Sequence, residues 1–264
     1  MKAFFNSALV AFSMFSSLPM PQKRIKWDAD GMKYMMAAFP LVGIVIGAVI
    51  FGWVWLSSWL GLPNILTSLG LTLIPIALTG GIHLDGLADT ADALGANTTP
   101  ERRREILKDP RAGAFAVIGV GVYLIAYFGL ALSFDLSLPN VILLCVGFVM
   151  SRLMSGFAVV SFPSVKDGTA KMFRDAASKR SIVILTVFMV LCLAATAVFM
   201  FRDIIDPITF VLWYFVQGCC FFYLKHMARR KFGGMSGDLA GWFLQINELL
   251  QLAVIVFFTY WRFG

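Results

Sequence analysis

The chain has 264 residues, of which 59% are hydrophobic and only 14% charged, and its mean hydropathy is +0.81. A soluble domain carries roughly 25% charged residues, so these values exclude an ordinary water-soluble fold. They point to a single integral membrane domain over residues 1–264. The net charge of +7 would suggest a nucleic-acid partner in a soluble protein. Here basic loops beside membrane helices account for it, so no nucleic acid is expected, and anionic membrane lipid or a phosphorylated substrate is the natural counter-charge.

In chain order, Phe4–Ser17 is an apolar segment behind Lys2 that ends at Leu18-Pro19-Met20-Pro21. No small-x-small cleavage site precedes that break, so a retained helix is expected, either spanning or lying partly in the interface. Seven further apolar segments follow, at 34–60, 65–82, 112–134, 140–161, 181–201, 208–225 and 238–260. About twenty apolar residues cross the hydrocarbon core, and backbone groups in lipid must bond one another. The predicted fold is therefore all-α: a polytopic transmembrane bundle of seven to eight membrane helices. Cys145, Cys192, Cys219 and Cys220 fall inside these segments without CxxC spacing and read as small hydrophobes.

Four connections carry nearly all the basic charge. Of the 22 Lys and Arg residues, only Lys2, Arg152, Arg202 and Arg262 lie elsewhere. Alternating helices bring these four loops to one side, which the positive-inside rule makes cytoplasmic. The opposite turns are minimal, so the longer cytoplasmic loops are expected to hold the catalytic groups.

The sharpest motif is Gly80-Gly81-Ile82-His83-Leu84-Asp85-Gly86-Leu87-Ala88-Asp89-Thr90-Ala91-Asp92. On a helix, Asp85, Asp89 and Asp92 fall within roughly 60° of one face. Like charges so placed repel, and a hard cation such as Mg²⁺ or Mn²⁺ would cancel the repulsion, above all with a substrate phosphate completing its shell. A solvated acidic face is the plainer reading of the same spacing. His83 beside it is either a catalytic group or ligand, or a structural interfacial residue. Next comes Arg102-Arg103-Arg104-Glu105-Ile106-Leu107-Lys108-Asp109-Pro110-Arg111-Ala112-Gly113, whose arginine forks suit phosphate. Within it Arg111, near a helix start, is the leading anion-binding candidate, with Lys108 and Arg104 beside it.

Arg152 interrupts an apolar segment, and Glu248 lies about 15 Å along the last helix from Asp238. The two can pair with each other or face a polar cavity. Lys166-Asp167-Gly168-Thr169 mixes donors with glycine, so Lys166 is a candidate substrate contact. Gly233-Gly234-Met235-Ser236-Gly237-Asp238 opens the last helix, with Ser236 as a cap or a ligand contact and Asp238 in the first turn.

These pieces in this order resemble the cobalamin synthase family, the adenosylcobinamide-GDP ribazoletransferases. The resemblance rests on Leu18-Pro19-Met20-Pro21, on Phe39-Pro40-Leu41-Val42-Gly43 with Gly47, and on Gly81-Ile82-His83-Leu84-Asp85-Gly86-Leu87-Ala88-Asp89 with Asp92. It continues through Lys108-Asp109-Pro110-Arg111-Ala112-Gly113-Ala114-Phe115 and Gly233-Gly234-Met235-Ser236-Gly237-Asp238 with Glu248. The family pattern departs at Ala93 and Ala116, where glycine is expected, at Ser236 for threonine, and at Trp242 for a small residue. The resemblance implies a transferase in the last steps of cobalamin biosynthesis, multi-pass in the bacterial inner membrane with its site facing the cytoplasm. Adenosylcobinamide-GDP would react with α-ribazole or its 5′-phosphate, with transfer to a ribose 5′-hydroxyl, release of GMP and Mg²⁺ as cofactor. Asp85, Asp89 and Asp92 would then hold the metal, one of them or Asp238 would take the hydroxyl proton, and Arg111 with Lys108 or Arg104 would meet the departing phosphate.

Two other readings are weaker. A CDP-alcohol phosphotransferase wants Ala-Arg after its Asp-Gly-x-x, whereas Asp85-Gly86-Leu87 runs into Ala88-Asp89. A transporter should show polar positions near the middle of several helices and an inverted repeat, and no convincing repeat is present.

Overall fold

A computed structural model describes residues 2–165, 168–202 and 204–263. The chain opens with α1 (Lys2–Phe15) and a 3₁₀ turn at Gln22–Arg24. The short α2 (Ala29–Met32) leads into α3 (Met35–Leu60), α4 (Asn64–Thr79), α5 (Ile82–Gly95) and α6 (Pro100–Ile106). Then come α7 (Ala114–Leu132), α8 (Leu138–Ser161), α9 (Thr169–Ala176), α10 (Lys179–Phe201), α11 (Pro207–Met227) and α12 (Gly237–Phe263). A single π-helical turn, Ala228–Phe232, closes α11. No strand is present among the described residues, only an isolated bridge between Ser164 and Met235.

Among the described residues, α3, α7, α8, α10, α12, and α11 with its π turn make six helices long and apolar enough to cross a membrane. The protein is a multi-pass membrane protein. The pair α4 and α5 would make a seventh span, but α5 is bent by 92° from α4 at the break between them. Gly80 and Gly81 make that break, at φ of 63° and 78°, a left-handed conformation that costs a side-chain-bearing residue free energy and glycine almost none. The apolar segment predicted over 65–82 thus stops at Thr79, and α5 runs across the end of the bundle instead of through it. At 14 residues, α1 is about 21 Å long, short of the roughly 30 Å hydrocarbon core, which favours the interfacial reading over the spanning one.

Small residues set the helix spacing where no hydrophobic force between helices exists in lipid. Gly43 and Gly47, four apart on α3, face α8 closely enough that a Cβ on Gly43 would meet the Phe148 carbonyl oxygen at 2.4 Å, and one on Gly47 the Cys145 carbonyl oxygen at 3.0 Å. This seam is the centre of the bundle, whereas α10 is mostly exposed along its span.

The loops sort to two ends. At one end the Asn64 side chain donates to the Leu132 carbonyl at 2.8 Å, and Asn140 donates to Thr259 Oγ1 at 3.2 Å. At the other, Ser178 N–H donates to the Lys33 carbonyl at 3.0 Å, Arg104 Nη1 to the Phe232 carbonyl at 2.9 Å, and Met235 N–H to the Pro163 carbonyl at 2.8 Å. All the long basic connections meet at this second end, where α5 also lies.

Candidate active site

The site is built on the crossing of α5 and the first turns of α12. Gly86 and Gly241 make that crossing close: a Cβ on Gly86 would lie 2.8 Å from the Asp238 carbonyl oxygen, and one on Gly241 would lie 3.1 Å from the His83 carbonyl oxygen. The crossing brings the acids of the α5 motif to Asp238. Burial first, then the charges of Asp85, Asp238 and Asp92, push the half-buried Asp89 carboxyl up to about 6. Carboxylates crowded in this way gain from a cation between them.

Asp92 has a different occupation. Its carboxylate accepts the backbone N–H of Gly113 and, at 2.9 Å, that of Ala116, so it caps α7 from a distance in sequence. The buried Arg103 does the reciprocal work at the end of α5, donating from Nε to the Ala93 carbonyl at 3.1 Å and from Nη2 to the Ala96 carbonyl at 3.3 Å. Among the described residues no group of three or more His, Cys, Asp or Glu side chains forms a metal cage.

Two hollows meet at Asp238. One is a polar cleft of about 670 Å³, walled by Arg104 and Lys108, by Glu101 and Glu105, of which Glu101 pairs with Arg104 at 3.2 Å, by the Ser164–Val165 stretch, and by Ser236, Gly237 and Asp238. The other is a mainly apolar cavity of about 230 Å³ between α1, α3, α5, α8, α9 and α12, reached by Asp85, His83 and Asp238. Asp238, Gly237 and Thr169 line both. Charged groups of both signs, Arg104 and Lys108 among them, thus border one side of Asp238, and apolar rings the other.

The cobalamin-5-phosphate synthase family model matches residues 7–256. The chain belongs to this family. Among its relatives, an adenosylcobinamide-GDP ribazoletransferase of Lachnoclostridium phytofermentans is 43% identical over 95% of this chain and 94% of its own length. A protein of the same name from Clostridium botulinum is 30% identical over 98% of this chain and the whole of its own length. One from Shewanella pealeana is 29% identical over 92% of each. No solved structure matches the chain.

Seen as a family member, the chain distributes its predicted site residues unevenly. Asp85, Asp89 and Asp238 gather, with Arg104, Lys108 and Ser236 along the adjoining cleft. Ser236 also caps α12, its Oγ accepting from Leu239 N–H at 3.2 Å. Arg111 does not line the cleft: its side chain is 87% exposed and pairs with Asp109 at 2.8 Å, holding that carboxyl down to about 2. Arg152 and Glu248 form a buried ion pair with each other, and Ser151 Oγ donates to the same Glu248 oxygen at 2.8 Å. Neither lines either hollow. Lys166 lies outside the described residues.

The family-pattern departures fall harmlessly. Ala93 and Ala116 act through backbone atoms, and Trp242, outside both hollows, sits with its ring 6.0 Å from that of Tyr223. Sequence reasoning quoted Arg103 and Thr169 within motifs without finding the role of either, and missed the aromatic residues Phe15, Phe39 and Phe173 around the cavity. Phe39 stood in a quoted motif, and the strong amphipathicity of Thr169–Ala176 was a usable signal that it packs one face inward.

Proposed function

We propose that the chain catalyses the reaction its relatives are named for, joining adenosylcobinamide-GDP to α-ribazole or α-ribazole 5′-phosphate with release of GMP. The observation that carries the reading is the position of Asp238, with Asp85 and Asp89 beside it, on the wall between a cleft bearing Arg104 and Lys108 and an apolar cavity. A diphosphate in the cleft would place its phosphorus near these acids, and an acceptor in the cavity would approach from the other side.

The chemistry balances as a phosphoryl transfer. An acceptor hydroxyl loses its proton and forms a P–O bond to the cobinamide-bearing phosphorus, while the bond to the bridging oxygen breaks and leaves with GMP. With a 5′-phosphorylated acceptor the 5′-oxygen is already esterified, so the attacking oxygen is a ring hydroxyl of the ribose. This revises the 5′-hydroxyl that the resemblance implied. Asp238 is the proton acceptor best placed between the hollows, and Arg104 and Lys108 meet the charge that builds on GMP. Asp85 and Asp89 are the proposed holders of Mg²⁺, with Asp92 contributing through lone pairs its capping bonds leave free. The ion would supply charge neutralisation on the diphosphate. Positioning and electrostatics of this kind supply most of the catalysis in phosphoryl transfer.

The four basic loops share the end of the bundle that carries the acids, and this supports a cytoplasm-facing site in the inner membrane. Membrane lipid is then a standing partner of the exposed apolar faces.

The test is turnover by purified protein in lipid vesicles, given adenosylcobinamide-GDP, α-ribazole 5′-phosphate and Mg²⁺. GMP and completed corrinoid should appear in equal amounts and stop on addition of chelator. Folded protein that forms neither product, with α-ribazole also supplied, would overturn the reading.

A further inference from the structure

The apolar cavity has a chemistry of its own. Three phenylalanine rings, from Phe15, Phe39 and Phe173, help to wall it, and Gly86 and Gly241 lie along it where α5 crosses α12. Among the described residues no Lys or Arg lines it. Its volume of about 230 Å³ is too small for a corrin or a whole nucleotide and suits one fused bicyclic ring. Within this apolar wall sits one unsatisfied polar group. His83 is 4% exposed, and its Nε2 is buried without a hydrogen-bond partner among the described residues. The imidazole is held by its neighbours, with its centroid 5.7 Å from that of Phe39 and 6.3 Å from that of Phe15. A buried polar nitrogen left alone costs free energy, and native structures rarely keep one without a use.

We propose that this cavity receives the aromatic base of the acceptor, a fused bicyclic heterocycle stacked among the phenylalanine rings, with His83 Nε2–H donating to its one free ring nitrogen. The assignment rests on the transferase reading above and adds to it which hollow takes which substrate. The ligand chemistry follows from the lining. Phosphate is excluded by the absence of cations. Guanine, polar around most of its rim, would bring more hydrogen-bonding edges than a mainly apolar wall can satisfy. A benzimidazole attached through one nitrogen presents flat apolar faces and a single acceptor nitrogen, which matches the unpartnered His83 Nε2 in a mainly apolar slot. The ribose attached to such a base would emerge toward Asp85 and Asp238, the two acids at the cavity wall. That direction puts its hydroxyls beside the acids and the cleft.

The test compares two acceptors on the vesicle-embedded enzyme: α-ribazole 5′-phosphate, and its indole counterpart in which the free ring nitrogen is a C–H. The native protein should prefer the nitrogen-bearing acceptor by about tenfold in kcat/KM, the effect of one buried hydrogen bond. His83→Ala should abolish that preference while changing the KM for adenosylcobinamide-GDP by less than about twofold. Ala170→Leu, which adds bulk to a buried cavity wall on α9, should raise the acceptor KM and leave the corrinoid KM in place. A His83 variant that keeps the full preference, or an Ala170 variant that raises only the corrinoid KM, overturns the assignment. Absence of turnover by the native protein with its natural pair is a separate outcome and overturns the transferase reading itself.

Discussion

Helix α12 carries two groups of charge that differ in kind. At its first turn Asp238 borders both hollows, Asp85 reaches the apolar one, and Asp89 feels the charge of both and of Asp92. About 15 Å further along, Glu248 is closed against Arg152, with Ser151 completing the contact and the Arg152 guanidinium carbon 5.7 Å from the centre of the Phe148 ring. The deeper pair neutralises itself inside the bundle, as a charge in lipid must. The shallower group does not, and its excess negative charge is what a cation and a diphosphate would complete. Intramembrane charge is thus paired in Arg152 and Glu248, and the unbalanced charge at the bundle end is where the proposed chemistry would take place.

The contrast can be broken from either side. Asp85→Asn should lower turnover by roughly 100- to 1000-fold, the scale of removing one electrostatic contributor to a transition state, with the unfolding temperature kept or raised. Near-normal turnover in that variant would remove Asp85 from the chemistry. Glu248→Gln should do the reverse, leaving Arg152 buried and unpaired at a stability cost of about 3 kcal/mol, read by denaturant unfolding in detergent. A double replacement of Arg152 and Glu248 by methionine should recover most of that stability. Failure to recover it would give the pair a role beyond packing.

The smallest effect concerns pH. Folding raises the Asp89 pKa from its ordinary value to about 6. Between those values the folded metal-free protein binds more protons than the unfolded chain, so this group makes the metal-free protein more stable as pH falls through that window. Protons then compete with Mg²⁺, and apparent metal affinity should weaken by up to tenfold per pH unit below about 6 and level off above it. Magnesium titrations at several pH values read this directly, and a flat profile through pH 5 would detach Asp89 from the metal.

Much of this was legible in the sequence because membrane helices are written locally. The predicted segments 112–134, 140–161 and 181–201 fall within two residues of α7, α8 and α10 at either end. The acidic motif was equally visible, since helical spacing alone puts Asp85 and Asp89 on one face. What escaped were partners brought from far along the chain. Nothing near Asp92 announces that it caps α7, and nothing near Arg103 announces that it closes α5, because the receiving groups are backbone atoms with no sequence signature. Arg111 misled for a related reason: the short-range pairing with Asp109 turns it outward. Even the Gly80-Gly81 pair, conspicuous as text, did not disclose the direction of the turn.

That turn has a consequence for the surrounding bilayer. Ending at Thr79, α4 has 16 residues and is about 24 Å long, less than the roughly 30 Å thickness of an average hydrocarbon core. A short span draws the lipid thin beside it. Lipid thinned in this way would set the acids of α5 at the floor of a local dimple, below the plane of the neighbouring head groups. A bulky, partly apolar substrate moving along the membrane surface would meet them by sinking into that depression, without having to leave the interface.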